Sequence, residues 1–433
     1  MKLRMEAALI RHGAVTLFAV LLSGAYANAA DQTQIGAGII RAQQIGSASQ
    51  LVQSAVDVLV RNAERIEDPQ LRAVTLDSFL NPNTCIRHRA HVTDAVKTQI
   101  VSTLLAQNLV NPADAASITG GVKAGVFPPV INDGSACPTL PMTFKATPGS
   151  NFGGHHSYPG GLAVHESFND QSSINFADTY RGEYGIVGLH NLPIATGTSP
   201  FADVNINQDV VLAAPIWHDW AKMMVFQWNA DGTEFTELNF GGSGTNDNFG
   251  APGDSRTGGH HIISIAETMA RGLSPLLVIT QASAHSAPTL GNEFKVVNWL
   301  RAAAILAQVD PVARGYLVMD SGQFRLPPLA QLGSGTDLAE AGQGNVLVEY
   351  QIHNLSDADF VNSIPAVTTV QVLLAQVAPQ FGYDANDVSR FNNFFRNVVL
   401  SNLSPERLMM IYDKQGIERF VDEISKLRHL HLI

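Results

Sequence analysis

Apolar residues recur at helical spacing along most of this chain. Val52, Val56 and Leu59 share one helix face. Asn81-Pro82-Asn83 breaks that pattern, and a further helix is predicted over residues 93–109. Pro128-Pro129 and the Gly134/Pro138 region mark a boundary before the middle of the chain. An apolar helix is predicted over residues 296–309, and helical spacing returns at Val370, Leu373, Leu374 and Val377, then at Val388, Phe391, Phe395 and Val398. Two stretches depart from this. Residues 225–238 read as a β-hairpin turning at Asp231-Gly232, and the segment from residue 321 opens with strand-like pattern. The expectation is a mainly α protein with a small β-hairpin insertion. It divides into an N-terminal helical region (30–145), a central domain (146–320) and a mostly helical C-terminal region (321–433) that packs on the core. The glycine-rich residues 241–259 have no strand-then-helix context, so they do not read as a phosphate-cradling loop. With the hairpin, they are placed to roof a site or to decorate the surface.

The first 29 residues follow another logic. Lys2, Arg4 and Arg11 precede the apolar run 14–22, and Ala27-Asn28-Ala29 supplies a small-x-small cleavage pattern. This reads as a secretory signal, residues 1–29, since the run is short of the about 20 apolar residues a bilayer span needs. No later stretch reads as a span, so a secreted or periplasmic chain is expected. The 433 residues are 45% hydrophobic, which excludes a disordered chain. The net charge of −11 becomes −13 once Lys2, Arg4 and Arg11 leave with Glu6. That balance argues against binding of nucleic-acid polymers or anionic membrane surfaces. Cys85 and Cys137 are the two cysteines. In an oxidising compartment such a pair fits a disulfide, while two unrelated buried thiols is the other reading. Two cysteines alone do not make a thiolate zinc site.

The chemistry concentrates in the middle. His218-Asp219 lies in the apolar stretch 209–222, where a buried His and Asp need partners because an unpaired charge in the interior is costly. Neighbouring side chains project about 100° apart on a helix but can converge on one ion against it. His165 follows Pro159-Gly160-Gly161, which reads as the opening of a helix. His261 opens another helical pattern, His285 lies in Ala-Ser-Ala-His-Ser-Ala, and Asp310 ends the helix at 296–309. Imidazole and carboxylate donors suit Fe, Mn, Zn, Co or Ni, and helical bundles build such centres from facing helices.

In this order, His165, His218-Asp219, His261, His285 and Asp310 resemble the HD-domain metal-dependent phosphohydrolase superfamily, named for its His-Asp doublet. The stretch His156-Ser-Tyr-Pro-Gly-Gly-Leu-Ala-Val-His165 is similar to the opening of one subgroup, and Lys222 matches a lysine three residues after the doublet's Asp. Asp209 matches an acidic residue at the start of the doublet's helix. The resemblance covers residues 146–315. It implies an HD-type helical core with one or two divalent transition-metal ions. His165, His218, Asp219 and Asp310 would bind the first, and Asp219 would bridge to a second held by His261 and His285. His260 is the alternative to His261, and the apolar spacing after His261 favours the latter. Where some dinuclear subgroups carry a His-His pair, this chain has His285-Ser286, which leaves the second ion less fully ligated.

The implied activity is hydrolysis of a small phosphate mono- or diester, such as a nucleotide, by a metal-activated water. Asp219 and Lys222 are the catalytic residues, and His156, Tyr158 and Glu166 the substrate or outer contacts. A di-iron oxygenase acting on a small molecule shares the ligand order and is the alternative. A metal-stabilised binding module is disfavoured, because structural sites leave no open coordination position. Arg87, His88, Arg89 and His91 beside Cys85 read as a solvated basic face, and His190 and His353 as structural.

Overall fold

The computed structural model describes residues 36–184, 206–233, 237–241, 255–289, 291–328 and 347–433. Residues 1–29, read above as a secretory signal, His190 and most of the glycine-rich stretch lie outside them. Among the described residues the first α-helices are α1 (Ile39–Ala48), α2 (Gln50–Ala63), α3 (Pro69–Leu80), α4 (Asp94–Ala106) and α5 (Gly121–Val126). Local chemistry sets their ends. The Ser49 side chain caps α2, Asp68 caps α3 with Pro69 at its first position, and Thr93 caps α4. On α2, Val52, Val56 and Leu59 are buried, as their spacing predicts.

The central segment holds α6 (Gly161–Tyr184), α7 (Gln208–His218), α8 (Lys222–Val225), β1 (Asn239–Phe240), β2 (Thr257–Gly258), α9 (Gly259–Ala270), α10 (Pro275–Ala282) and α11 (Glu293–Ala307). Every residue of α10 is buried except Pro275, so this helix has no polar face. Helix α11 stops at Gln308, whose φ of 56° is left-handed, and Val309 N–H closes back on Ala304 O at 3.0 Å. After β3 (Val318–Asp320) and β4 (Gln323–Arg325) come α12 (Val348–Ser356), a 3₁₀ turn at Asp357–Asp359, α13 (Phe360–Val377), α14 (Val388–Phe391), α15 (Asn397–Leu403) and α16 (Pro405–His429). A π-helical turn, Asn392–Arg396, interrupts the helical run predicted through Phe395 and Val398.

The fold is mainly α, as expected, with two small antiparallel strand pairs among the described residues. The return side of the hairpin expected over 225–238 includes residues 234–236, which lie outside the described residues. Residues 229–233 do form a tight turn, with Asn229 N–H bonded to Thr233 O at 2.7 Å. Among the described residues the paired strands are β1 with β2 and β3 with β4, so the two ends of the glycine-rich stretch meet each other.

One apolar core runs continuously from Val52 on α2 to Ile352 on α12, joining the N-terminal and central regions. A second gathers Leu373, Leu374, Phe395 and Phe420 of the C-terminal helices around Tyr158. Helix α6 packs on α2, α7 and α12, while α9 packs on α11 and α13 on α16. One helical run among the described residues, Val348–Phe381, is long and apolar enough to cross a membrane by length and composition, contrary to expectation. It carries Asp357 and Asp359 in its 3₁₀ turn.

Cys85 and Cys137 are joined in a disulfide. The basic cluster beside it is not a solvated face. Arg87 and His91 are exposed, but His88 and Arg89 are buried. Glu267 of α9 accepts from the backbone N–H of Arg87 and His88 and contacts His88 Nδ1 at 2.8 Å and Arg271 Nε at 2.7 Å. Burial raises the Glu267 pKa, but these partners outweigh it and hold it at about 2. The network anchors the helix that carries His260 and His261.

Candidate metal centre

Tight loop geometry delivers the first histidine. Gly160 sits at φ +81°, and a Cβ on Gly161 would run into the carbonyl of His156. Residues 147–162 therefore close on themselves, with Gly149 N–H to His156 O at 2.9 Å and Leu162 N–H to Thr147 O at 3.1 Å. His165, one turn into α6, is buried.

Helix α7 ends at His218, so the doublet lies at a helix terminus and not inside a longer core helix. Asp219 is its C-terminal cap residue. Pro215, inside α7, contributes its carbonyl to His218 Nδ1 at 2.8 Å. A carbonyl only accepts, so Nδ1 carries a proton and Nε2 is the nitrogen that faces the carboxylates of Asp219 and Asp357. Asp219 then reaches both ways. Its Oδ2 lies 3.2 Å from His165 Nε2 and 3.4 Å from His218 Nε2, and its Oδ1 lies 3.2 Å from His260 Nε2. Lys222 Nζ donates to Asp219 Oδ2. All five side chains are buried, apart from a small exposed fraction of His260.

Asp357 completes this ring. Its Oδ1 is 3.2 Å from both His165 Nε2 and His218 Nε2, and its Oδ2 is 3.9 Å from His285 Nε2. Further contacts orient the imidazoles. Glu237 Oε2 accepts from His260 Nδ1 at 2.7 Å, Thr257 Oγ1 contacts His285 Nδ1 at 2.7 Å, and Asn169 Nδ2 reaches Asp357 Oδ1 at 3.2 Å. His285 is the open edge: its side chain is 26% exposed, while His218 is fully buried.

These placements divide the predicted residues. His165, His218, Asp219, His285 and Lys222 come together. Asp310 does not join them. It is exposed, and its Oδ1 accepts from the N–H groups of Val312 and Ala313 as a turn cap. The terminal aspartate of the cluster is Asp357, which the sequence reading did not name. His261 is also displaced. Its Nε2 contacts Ala282 O at 3.1 Å, and its ring stacks on His285 at 4.1 Å with its edge against Trp299, so it packs behind the cluster while His260 faces Asp219. Glu166 is buried beside His218, with Oε2 3.6 Å from Nδ1, away from the open edge. Tyr158 is core, packed among the C-terminal helices. His156 sits off the ring, its Nε2 3.6 Å from Asp359 and 3.7 Å from Glu406. His353, read as structural, is buried with its ring 5.0 Å from His218.

Electrostatics favour a cation here. Burial alone would lower the His218 pKa, but Asp219, Glu166 and Asp357 together raise it to about 9. His165 is likewise held well above its ordinary value against burial, by Asp359, Asp219 and Asp357. Burial pushes Glu166 up to about 8. The carboxylates that hold protons on these imidazoles would equally hold a divalent ion, which displaces those protons on binding. His218 Nε2 and Asp219 Oδ1 are buried without a hydrogen-bond partner among the described residues. Two groups that share Asp219 could hold a metal ion: His165, Glu166, His218 and Asp219, and then Asp219, His260 and His285, with the ligand atoms of each within 4.8 Å of one another. The donor set fits a transition metal.

No family model, curated protein or solved structure matches the chain.

Proposed function

We propose that this chain is a metal-dependent phosphohydrolase, similar to the HD-domain superfamily, that cleaves a small phosphate mono- or diester. One observation carries the reading. The two oxygens of Asp219 face separate sets of imidazoles, His165 and His218 on one side and His260 on the other, as a carboxylate bridging two ions must. His165, His218, Asp219 and Asp357 would hold the first ion, and Asp219, His260 and His285 the second, with Fe, Mn, Zn, Co or Ni all compatible. When bound, the ions supply Lewis acidity, lowering the pKa of a water and neutralising charge on a phosphoryl group. Lys222, buried against Asp219, has N–H groups to donate to a phosphoryl oxygen. Glu237 fixes the tautomer of His260, Thr257 orients the ring of His285, and substrate approaches over the exposed edge of His285. The leader-like residues 1–29 and the disulfide support a secreted or periplasmic location.

A di-iron oxygenase is the second reading, favoured by the charge around the ring. Among the described residues, Lys222 is the one lysine or arginine paired with a carboxylate of the cluster, while Glu166, Glu237 and Asp359 surround it. So acidic a setting suits a weakly charged substrate. Metal quantification with a panel of phosphoesters tests both. Phosphate release that disappears in Asp219→Ala together with bound metal is the expected result. Two irons with oxygen uptake and no phosphate release would favour the oxygenase. A chain that takes up no transition metal would end both readings.

A further inference from the structure

His165 turns its other nitrogen to a second group of side chains, on the side away from Asp219. Asp359 Oδ1 is 2.9 Å from His165 Nδ1, yet neither atom makes an aligned hydrogen bond. His155 Nδ1 is also buried without a partner among the described residues. Asp359 Oδ2 and Glu406 Oε1 lie 3.6 and 3.7 Å from His156 Nε2, beyond hydrogen-bonding reach. His155, His156 and His165 each offer a nitrogen, and these atoms lie within 4.8 Å of one another. Their ring centres are 4.6, 5.3 and 5.8 Å apart. Imidazoles bound to one ion at about 2.1 Å place their ring centres roughly 4.5–5.5 Å apart, close to this spacing.

We propose that His155, His156 and His165 form a third cation site, for a divalent transition-metal ion, with His165 shared between it and the Asp219 centre and Asp359 beside His156 and His165 as a balancing negative charge. With both sites filled His165 would bridge them as an imidazolate, its Nε2 proton displaced by the Asp219 centre and its Nδ1 proton by the third ion, both released to solvent. Glu406, at the start of α16, adds a second negative charge next to His156. The site thereby ties the C-terminal helices to the centre on α6 and α7. Ser363 Oγ supports that tie, contacting His156 Nδ1 at 3.2 Å and donating to Glu406 Oε1 at 2.6 Å. Imidazole with carboxylate selects zinc, nickel, cobalt or copper over magnesium or calcium.

The test uses the full chain, stripped with a chelator and titrated with Co(II) and with Zn(II), reading ions per chain and the visible absorbance of cobalt. Wild type should bind three ions. His155→Ala combined with His156→Asn should bind one fewer, with that ion's affinity at least tenfold weaker. Asn is chosen at residue 156 because its φ of 49° is left-handed, which Asn tolerates. Asp219→Ala should lose the ions of the main centre and keep this one. Two ions in wild type, both lost in Asp219→Ala and neither affected by the 155/156 changes, would overturn this site and leave the proposed function standing. A single ion that survives Asp219→Ala but not the double substitution would do the reverse. Should the double variant fail to show native helicity, His155→Gln alone carries the test, and an undiminished ion count in it overturns the proposal.

Discussion

Asp170 offers a sharp test of how the interior of α6 is built. It is fully buried, with Asn62 Nδ2 donating to Oδ2 at 2.7 Å and Oδ1 without a hydrogen-bond partner among the described residues. Burial pushes its pKa from 3.8 up to about 7, against the smaller opposing effects of Asn62 and Arg65. A rise of about three units, at about 1.4 kcal/mol each, corresponds to about 4 kcal/mol. In the unfolded chain Asp170 ionises near pH 3.8, while in the folded chain it keeps its proton until about pH 7. Between those values the unfolded state binds fewer protons, so this residue makes stability fall as pH rises, with the full loss reached above pH 7. Asp170→Asn keeps the shape and the bond from Asn62 but cannot ionise. The variant should match wild type near pH 4 and gain on it steadily, reaching an advantage of up to about 4 kcal/mol by pH 8. Urea unfolding followed by circular dichroism from pH 4 to 8, with chelator present to remove metal linkage, measures the difference, and groups common to both proteins cancel. A gap between the two curves that does not change with pH would refute the reasoning.

Three further outcomes are expected. Asp357→Ala should lose bound metal, whereas Asp310→Ala should keep it and cost about 1 kcal/mol as a lost turn cap; metal analysis and thermal melts of the two variants separate these roles. His260→Ala should lower the ion count, while His261→Ala should preserve it and lower stability by about 3 kcal/mol through the space left between His285 and Trp299; the opposite pattern would reverse their assignments. Reducing the Cys85–Cys137 disulfide, which spans 52 positions, should destabilise the chain by about 4 kcal/mol through freedom regained in the unfolded state, measured as a drop in unfolding midpoint with and without reductant.

What the sequence determined by itself was local. Helix faces follow from side-chain period, which placed Val52, Val56 and Leu59 inside. Caps follow from short polar residues such as Thr93, and the glycine-proline opening of α6 from backbone sterics. The doublet His218-Asp219 was legible because a charged pair within an apolar run needs a partner.

The tertiary structure decided the rest, and the misassigned residues show why. Apolar spacing on α9 pointed to His261, which is indeed the more deeply buried of the two. Periodicity reports burial, but a ligand must sit where the apolar core meets the polar ring, and that position belongs to His260. One residue along a helix is a rotation of about 100°, so packing of α9 against α10 and α11 made the choice. Asp310 and Asp357 are equally polar in the sequence. Only the return of the chain through α12 brings Asp357 between His165 and His218, while Asp310 stays on the surface capping its own turn. Contacts between residues nearly two hundred positions apart carry no local signature, because they depend on where whole helices come to rest.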